Sequence, residues 1–260
     1  MRDSALSFYN QLASSYHLIF NEWEQAISNQ GEILNKFIRS KMDLDSLEQI
    51  SLLDCSCGIG TQAIGLARHG FKVTATDISP VSVERAKREA ENLKVNNINW
   101  GVADFRALEQ EVSGVFNVVM SADNAISHLL NDEDLHLAFK NMNSKLVKNG
   151  LLLLTIRDYD SIIHDQPTAT TPYIFENGKR IVFQTWNWDE NGKTYMIQLF
   201  ILQQENEKWV TQHFKTKYRA LMQQEINKML SETGFSNIQW FTAKESGYYQ
   251  PIVIARKISN

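Results

Sequence analysis

The first half of the chain alternates short apolar runs with segments of helical periodicity. Short apolar runs bounded by turn residues are typical of buried strands, whereas apolar residues three and four positions apart are typical of amphipathic helices. Alternation of the two predicts an α/β fold with a parallel sheet and right-handed crossovers. The predicted strands are residues 50–53, 72–75, 98–102, 116–121 and 151–156.

Two of the intervening helices have recognisable ends. Ser79 and Pro80 predict a helix start, because the serine hydroxyl caps the first turn and proline loses no hydrogen bond at the first helical position. Another helix is predicted from Asp132 to Gly150, since a glycine suits the left-handed residue that follows a helix. Its apolar stripe consists of Leu135, Phe139, Met142 and Leu146.

The pattern changes near residue 160. Three β-rich runs between residues 179 and 219, separated by turn residues, predict an antiparallel insertion. A helix at 223–233 and strands at 237–242 and 250–257 then complete the first sheet. We therefore predict a Rossmann-like, doubly wound, mostly parallel seven-stranded core at 46–160 and 220–260. The insertion spans 161–219, and a helical N-terminal lid spans 1–45.

Composition and charge narrow the range of partners. A net charge of -4 over 260 residues offers no basic field for a phosphate backbone, which argues against nucleic acid and favours a small-molecule substrate. The sequence has no membrane-spanning apolar segment and no leader-like N-terminus, so a cytoplasmic protein is expected. Cys55 and Cys57 lack a second ligand pair, and no metal site is predicted. The sequence leaves open whether the protein forms a homo-oligomer.

A glycine turn follows the first predicted strand. The run from Leu52 to Gly60 places a strand against a turn containing Gly58 and then a helix, and this is where open α/β sheets bind nucleotides. Asp77 ends the next strand, about 20 residues after the glycines, which is the spacing of an acid that accepts ribose hydroxyls. The two features predict a nucleoside site.

The same segment favours S-adenosylmethionine (SAM) over a dinucleotide. A dinucleotide loop needs a third glycine, but Gly60 is followed by Thr61, Gln62 and Ala63. A carboxylate such as Asp54 would repel a pyrophosphate, whereas it would attract the sulfonium and ammonium groups of SAM. A cationic ligand is therefore expected beside this loop.

The motifs together resemble the class I SAM-dependent methyltransferases. The resemblance rests on Leu-Asp-x-x-Cys-Gly-x-Gly at 53–60, Asp77, and Asp104-Phe105 after the third strand. It implies SAM as the cofactor, with Asp104 hydrogen-bonded to the adenine and Phe105 flanking it. A turn-capping Asp and a core Phe are the alternative. The implied cofactor-binding residues in this core are Asp54, Ser56, Gly58, Gly60, Asp77, Ile78, Asp104, Phe105 and Ala122.

A narrower resemblance links the chain to the glycine and sarcosine N-methyltransferases. It rests on residues 123–129, 150–154 and 157–160. It implies that Asn124, Arg157 and Tyr195 position the substrate. Independently, the planar guanidinium of an arginine at a strand end suits a substrate carboxylate, although a salt bridge from Arg157 to Asp158 or Asp160 is the alternative.

The N-terminal aromatic residues extend this resemblance. Tyr16 and Trp23 are expected to cover the methionine part of SAM, with ordinary core packing as the alternative. No general base is predicted, and His128 is the only histidine expected near the site. Other functions stay open: methyl transfer to another small carboxylate, amine or hydroxyl, a SAM-binding protein without turnover, or an NAD-dependent oxidoreductase.

Overall fold

A seven-stranded sheet runs through the part of the chain that the computed structural model describes, residues 2–42 and 49–258. The strand order is β10-β11-β5-β4-β1-β2-β3, with β1 to β5 parallel and β11 antiparallel to both neighbours. This confirms the Rossmann-like, mostly parallel fold. The strands are β1 (Ser51–Asp54), β2 (Lys72–Asp77), β3 (Ile98–Val102), β4 (Phe116–Ser121), β5 (Leu146–Thr155), β10 (Phe235–Phe241) and β11 (Ile252–Lys257).

Helices cover both faces of this sheet. Leu52 and Leu53 are adjacent in β1 and belong to different apolar clusters, because successive side chains of a strand point to opposite faces. Helices α2 (Trp23–Ser40), α3 (Thr61–Arg68) and α4 (Pro80–Asn92) contribute to the cluster of Leu52, and α6 (Asp132–Ser144) and α8 (Gln223–Glu232) to that of Leu53. The remaining α-helices are α1 (Arg2–Leu12), α5 (Leu108–Glu111), α7 (Tyr159–Asp165) and α9 (Ala243–Ser246).

The insertion forms a second, antiparallel sheet. Its order is β6-β7-β8-β9, and the three long strands agree with the three predicted runs. The short β6 was not predicted, because three residues are too few to show a periodicity. The strands are β6 (Tyr173–Phe175), β7 (Arg180–Trp188), β8 (Thr194–Glu205) and β9 (Lys208–Arg219).

The N-terminal segment divides into two parts. Helix α1 packs its Phe8 and Leu12 on apolar residues of the second sheet, next to a 3-10 turn at Tyr16–Ile19. Helix α2 instead packs closely on α3, where a Cβ atom added to Gly31 would lie 2.6 Å from the Cα of Gly65. The predicted boundary between residues 45 and 46 lies outside the described residues.

One predicted element ends in the wrong place. The helix predicted from Asp132 to Gly150 ends at Ser144, and β5 starts at Leu146. The Lys145 carbonyl accepts a hydrogen bond from the Phe116 N–H at 2.8 Å, and this bond draws the chain into the sheet. Leu146 is buried in the strand, so its apolar character fits both interpretations.

No helix among the described residues combines the length and apolar character of a membrane span.

Candidate active site

The carboxylate of Asp77 is fixed by two backbone amides at the ends of β1 and β2. Gly58 N–H donates to Oδ2 and Ser79 N–H donates to Oδ1, both at 2.8 Å. Gly58 has φ +52, and a Cβ atom added there would meet nothing within 4 Å. The loop therefore leaves open space beside a fixed carboxylate, as a ligand cradle requires.

A cleft opens above these two residues, and we call it the cofactor cleft. It contains eight of the eleven residues expected to bind the cofactor. These eight are Tyr16, Ser56, Gly58, Asp77, Ile78, Asp104, Phe105 and Ala122. The structure thus brings together positions from four strand ends and from the N-terminal segment.

Among the described residues, three expected cofactor contacts are not part of the cleft lining. Trp23 donates from Nε1 to the Thr61 hydroxyl at 3.0 Å and packs in the core beside it. Gly60 directly precedes α3, and a Cβ atom added there would lie 3.1 Å from side-chain atoms of Ile64 and Trp100. Trp23 and Gly60 therefore contact residues next to the loop without lining the cleft.

Asp54 is the third of these residues, and it lies fully buried under the loop. Its Oδ1 accepts the Ser56 N–H at 3.2 Å, whereas its Oδ2 has no hydrogen-bond partner among the described residues. Burial raises the pKa of Asp54 to about 8, with smaller contributions from Asp77 and Asp123. The carboxyl group is thus poised to ionise when positive charge comes near it.

Asp104, the residue predicted to contact adenine, carries an ion pair in the cofactor cleft. Its carboxylate accepts from Arg106 Nη2 at 2.7 Å and Nε at 3.0 Å, and Arg106 also reaches Asp134 at 3.0 Å. The predicted adenine contact must therefore share the carboxylate of Asp104 with Arg106. Phe105 lies beside it on the cleft wall, where a ring can flank a base.

A second cavity of about 1230 Å3 adjoins the cofactor cleft, and we call it the aromatic cavity. It lies between the two sheets and the N-terminal segment, and rings from several elements line it. Arg157, which follows β5, reaches into it together with Asn124, which follows β4. Other lining residues include Tyr16, Gln184, Trp186 and Tyr218.

The guanidinium of Arg157 is held by neutral groups only. Nη1 donates to the Tyr195 hydroxyl at 2.9 Å and Nη2 to Gln184 Oε1 at 2.8 Å. Its carbon lies 4.7 Å from the centre of the Trp186 ring, a cation–π distance. None of the ion pairs among the described residues includes Arg157.

The alternative of a structural salt bridge is thus not realised. Asp158 caps the following helix through Ser161, and Asp160 accepts the Gln223 N–H at 2.9 Å. Arg157 therefore presents an uncompensated positive charge to the aromatic cavity, and burying such a charge is costly unless an anion joins it.

The polar groups of Asn124 and Tyr195 are hydrogen-bonded to Arg157 and to Tyr159, although Asn124 also lines the aromatic cavity. Asn124 is buried, donates to the Tyr159 hydroxyl at 2.9 Å and accepts from the Arg157 N–H at 3.2 Å. Tyr195 is fully buried, and its hydroxyl accepts a hydrogen bond from Arg157 Nη1 at 2.9 Å and lies 2.9 Å from the Tyr159 hydroxyl. That both residues position the substrate, as the resemblance implies, stays a prediction.

His128 lies in a group of aromatic rings between the two cavities. Its Nε2 is 3.0 Å from the Tyr9 hydroxyl, and its ring meets that of Tyr218 edge to face at 4.6 Å. Burial lowers the pKa of His128 to about 3, and the positive charge of Arg157 adds to the effect. The imidazole is therefore neutral near pH 7 and suited to hydrogen bonding, not to proton uptake.

Asp123 is the main site residue that the sequence reasoning missed. It has φ +59 and accepts hydrogen bonds from Gln62, Tyr248 and Tyr249, which come from α3 and from the loop before β11. The signal in the sequence was an acidic residue two positions after the predicted fourth strand. Its partners are 61 to 126 residues away and carry no local pattern.

A family model described as "Methyltransferase domain" matches residues 52–150, from β1 into β5. The glycine/sarcosine N-methyltransferase of Parasynechococcus marenigrum (strain WH8102) is 34% identical over 113 residues, 44% of this chain and 40% of that protein. The chain thus aligns with about two fifths of the length of the first curated relatives it matches.

Solved structures match nearly the whole chain at low identity. The CcbJ methyltransferase of Streptomyces caelestis has a TM-score of 0.78 at 15% identity and covers 97% of this chain and 98% of its own. SAM-bound CalS10, an amino pentose methyltransferase from Micromonospora echinaspora, has a TM-score of 0.70 at 14% identity, with 94% and 95% covered. These likenesses establish the fold, including the insertion and the N-terminal helices.

Proposed function

We propose that this chain, a class I SAM-dependent methyltransferase whose cofactor is SAM, methylates the amine of a small amino acid such as glycine or sarcosine. The observation that carries the proposal is Arg157, a guanidinium without an anionic partner among the described residues, directed into a cavity beside the cofactor cleft. A planar guanidinium binds a carboxylate with two parallel hydrogen bonds. The substrate carboxylate would supply the missing negative charge.

The residues of the cofactor cleft fit SAM. Asp77 retains acceptor capacity for ribose hydroxyls, because each of its oxygens is used once by a backbone amide. The open space at Gly58 admits a ligand against the backbone. When bound, SAM supplies a methyl group on a positively charged sulfur.

The remaining chemistry is positioning. Arg157 fixes the carboxylate end of the acceptor, and Tyr195 and Gln184 hold Arg157 in place. Holding the acceptor nitrogen in line with the methyl group makes the reaction effectively unimolecular, which lowers its entropic barrier. Tyr9 and Tyr16 line both cavities, so two aromatic rings lie where the cavities meet.

The size of the aromatic cavity favours a second candidate. Its volume of about 1230 Å3 exceeds the roughly 300–1,000 Å3 of common ligand pockets. An amine carried on a larger scaffold that also bears a carboxylate would use the same Arg157 contact and fill more of the cavity. A fold neighbour is described as an amino pentose methyltransferase, which makes amino sugars a reasonable part of the screen.

The experiment is a methyl-transfer screen with methyl-labelled SAM. Glycine, sarcosine, larger amino acids and amino sugars are compared with matched amines that lack the carboxylate, such as methylamine for glycine. The proposal expects label in amino acids, with the carboxylate-free partner at least tenfold poorer. Transfer to no compound, with SAM still bound, would favour a SAM-binding protein without turnover. Equal transfer to both partners would remove the role of Arg157.

A further inference from the structure

Asp123 occupies the point where the two cavities meet. Of the described residues, Tyr9, Tyr16 and Asp123 line both the cofactor cleft and the aromatic cavity, and Asp123 is the one that carries a charge. Its backbone is fixed there, because its N–H donates to the Thr155 hydroxyl at 2.8 Å. Its side chain therefore lies where a methyl donor and a methyl acceptor would face each other.

Neutral donors hold the carboxylate of Asp123. Its Oδ1 accepts the Tyr248 hydroxyl at 2.9 Å and also the Tyr249 hydroxyl, and its Oδ2 accepts Gln62 Nε2 at 2.8 Å. None of the ion pairs among the described residues includes Asp123. A half-buried carboxylate without a counterion, open to a ligand cavity, is complementary to a bound ammonium group.

The network behind the carboxylate fixes its orientation. Gln62 also reaches Gln30 Oε1 at 2.7 Å, and the Tyr248 hydroxyl lies 3.0 Å from the same oxygen. Gln30, Gln62 and Tyr248 are all buried, so these donors cannot turn to water instead. Asp123 is therefore held in one position by α2, α3 and the loop before β11.

We propose that Asp123 accepts the proton that the acceptor ammonium must lose before methyl transfer. The inference rests on the proposed function, because it requires an amine acceptor. Arg157 and Asp123 then bind the two ends of a zwitterionic amino acid, its carboxylate and its ammonium group respectively.

A proton moves from the acceptor nitrogen to a carboxylate oxygen of Asp123, which leaves a neutral amine with a free electron pair. The nitrogen forms a bond to the methyl carbon, the carbon–sulfur bond breaks, and the sulfur keeps its electron pair in S-adenosylhomocysteine. The methylated product leaves as an ammonium ion, and Asp123 returns its proton to solvent.

The surroundings of Asp123 suit a proton acceptor. Burial raises the pKa of Asp123, and the hydrogen bonds from Tyr249, Gln62 and Tyr248 oppose the rise. A raised pKa strengthens a carboxylate as a base while the hydrogen bonds keep it ionised. The titratable or charged groups that face it are Tyr16, Tyr218, Tyr248 and Tyr249, the Asp54 carboxyl, and Arg157 across the aromatic cavity.

The decisive variant is Asp123→Asn, which keeps the shape of the side chain and tolerates the left-handed backbone. Asp165→Asn, an exposed position, is the control for the lost charge. Both variants and the wild type are titrated with SAM by calorimetry. Initial rates of methyl transfer to glycine and sarcosine are then measured from pH 6.5 to pH 10.

We expect Asp123→Asn to bind SAM within about threefold of the wild type and to lose about 100-fold in rate at pH 7, a usual contribution of a general base. The loss should shrink about tenfold per pH unit as the amine deprotonates without help. Two results would overturn the proposal: a loss that is the same at every pH, or a wild-type rate. Loss of SAM affinity by more than tenfold would instead assign Asp123 to the ammonium group of the cofactor.

Failure of the proposed function would show in the wild-type protein, and failure of the role of Asp123 in the Asp123→Asn variant. A wild-type protein that methylates none of the amines leaves Asp123 without a proton to accept, and both proposals fall. If Asp123→Asn does not fold, Tyr249→Phe serves instead. It removes one donor that lowers the pKa of Asp123, so the acidic limb of the pH–rate profile should move to higher pH. An unchanged limb would contradict the role of Asp123.

Discussion

Arg157 donates from Nη1 to the hydroxyl of Tyr195 at 2.9 Å, and this bond fixes a charged side chain at the mouth of the aromatic cavity. Tyr195 is fully buried and lies on β8 of the second sheet, whereas Arg157 follows β5 of the first. The insertion thus contributes to the site by orienting a residue of the core. Because Arg157 lines the cavity and Tyr195 only holds it, substitutions of the two residues should affect acceptor binding to different extents.

Arg157→Lys should raise the acceptor KM and leave SAM affinity unchanged. Lysine keeps the charge but loses the planar fork and its paired hydrogen bonds, so a loss of about 1.5–3 kcal/mol in acceptor binding is expected. Tyr195→Phe should cost less, because Gln184 still holds the guanidinium. Steady-state kinetics with the best acceptor from the screen, and SAM calorimetry, measure both effects. A drop in SAM affinity for Arg157→Lys at intact fold would refute the division of roles.

His128 should remain neutral through the whole physiological range. Burial lowers its pKa to about 3, so the imidazole gains a proton only in strong acid. NMR of labelled histidine should show the His128 resonances unchanged between pH 8 and pH 5. A midpoint for His128 near 6.5 would contradict the burial argument and would reopen a role in proton transfer.

Asp54 should make the free protein less stable as the pH rises. Its pKa is about 8 in the folded protein against an ordinary value of 3.8, so between these values the folded state binds the extra proton. The free energy of unfolding therefore falls with rising pH across that window. Asp54→Asn removes the ionisation, and its stability relative to the wild type should improve from pH 5 to pH 8. Urea unfolding at both pH values tests this, and a constant difference would contradict it.

Gly31→Ala should destabilise the contact between α2 and α3. The added Cβ atom would lie 2.6 Å from the Gly65 Cα, so the two helices must move apart at a cost of about 1–3 kcal/mol. Gly101→Ala is the matched control, because its Cβ would meet the Thr76 Cγ2 atom at 3.3 Å, where a side chain can yield. Denaturant unfolding compares the two. Equal stability of both variants would indicate that the helices separate freely.

Local patterns were enough to predict the fold and the closeness of Gly58 to Asp77. Gly58 and Asp77 lie at the ends of adjacent parallel strands, and the sheet itself brings such ends together. The end of α6 was misplaced because Leu146 continues the apolar stripe of the helix, while its actual position is set by strand pairing with Phe116. Pairing of distant strands leaves no trace in helical periodicity.

The roles around the aromatic cavity were harder to predict. The sequence places Asn124 and Arg157 near one sheet edge. It does not show that the Asn124 amide donates to the Tyr159 hydroxyl and accepts from the Arg157 N–H. The partners of Asp123 come from α3 and from the loop before β11, and only tertiary packing brings them together. Such contacts follow from the complete fold.

Calorimetry can show whether the loop at Gly58 and the carboxylate of Asp77 bind SAM. SAM is titrated into the wild type, Asp77→Asn and Asp165→Asn, with NADH in parallel and thermal melting as a check on folding. We predict SAM binding by the wild type and by Asp165→Asn, no binding of NADH, and a loss of about 1.5–3 kcal/mol for Asp77→Asn. Unchanged SAM affinity in Asp77→Asn, or binding of NADH in place of SAM, would contradict SAM binding by the Gly58 loop and Asp77.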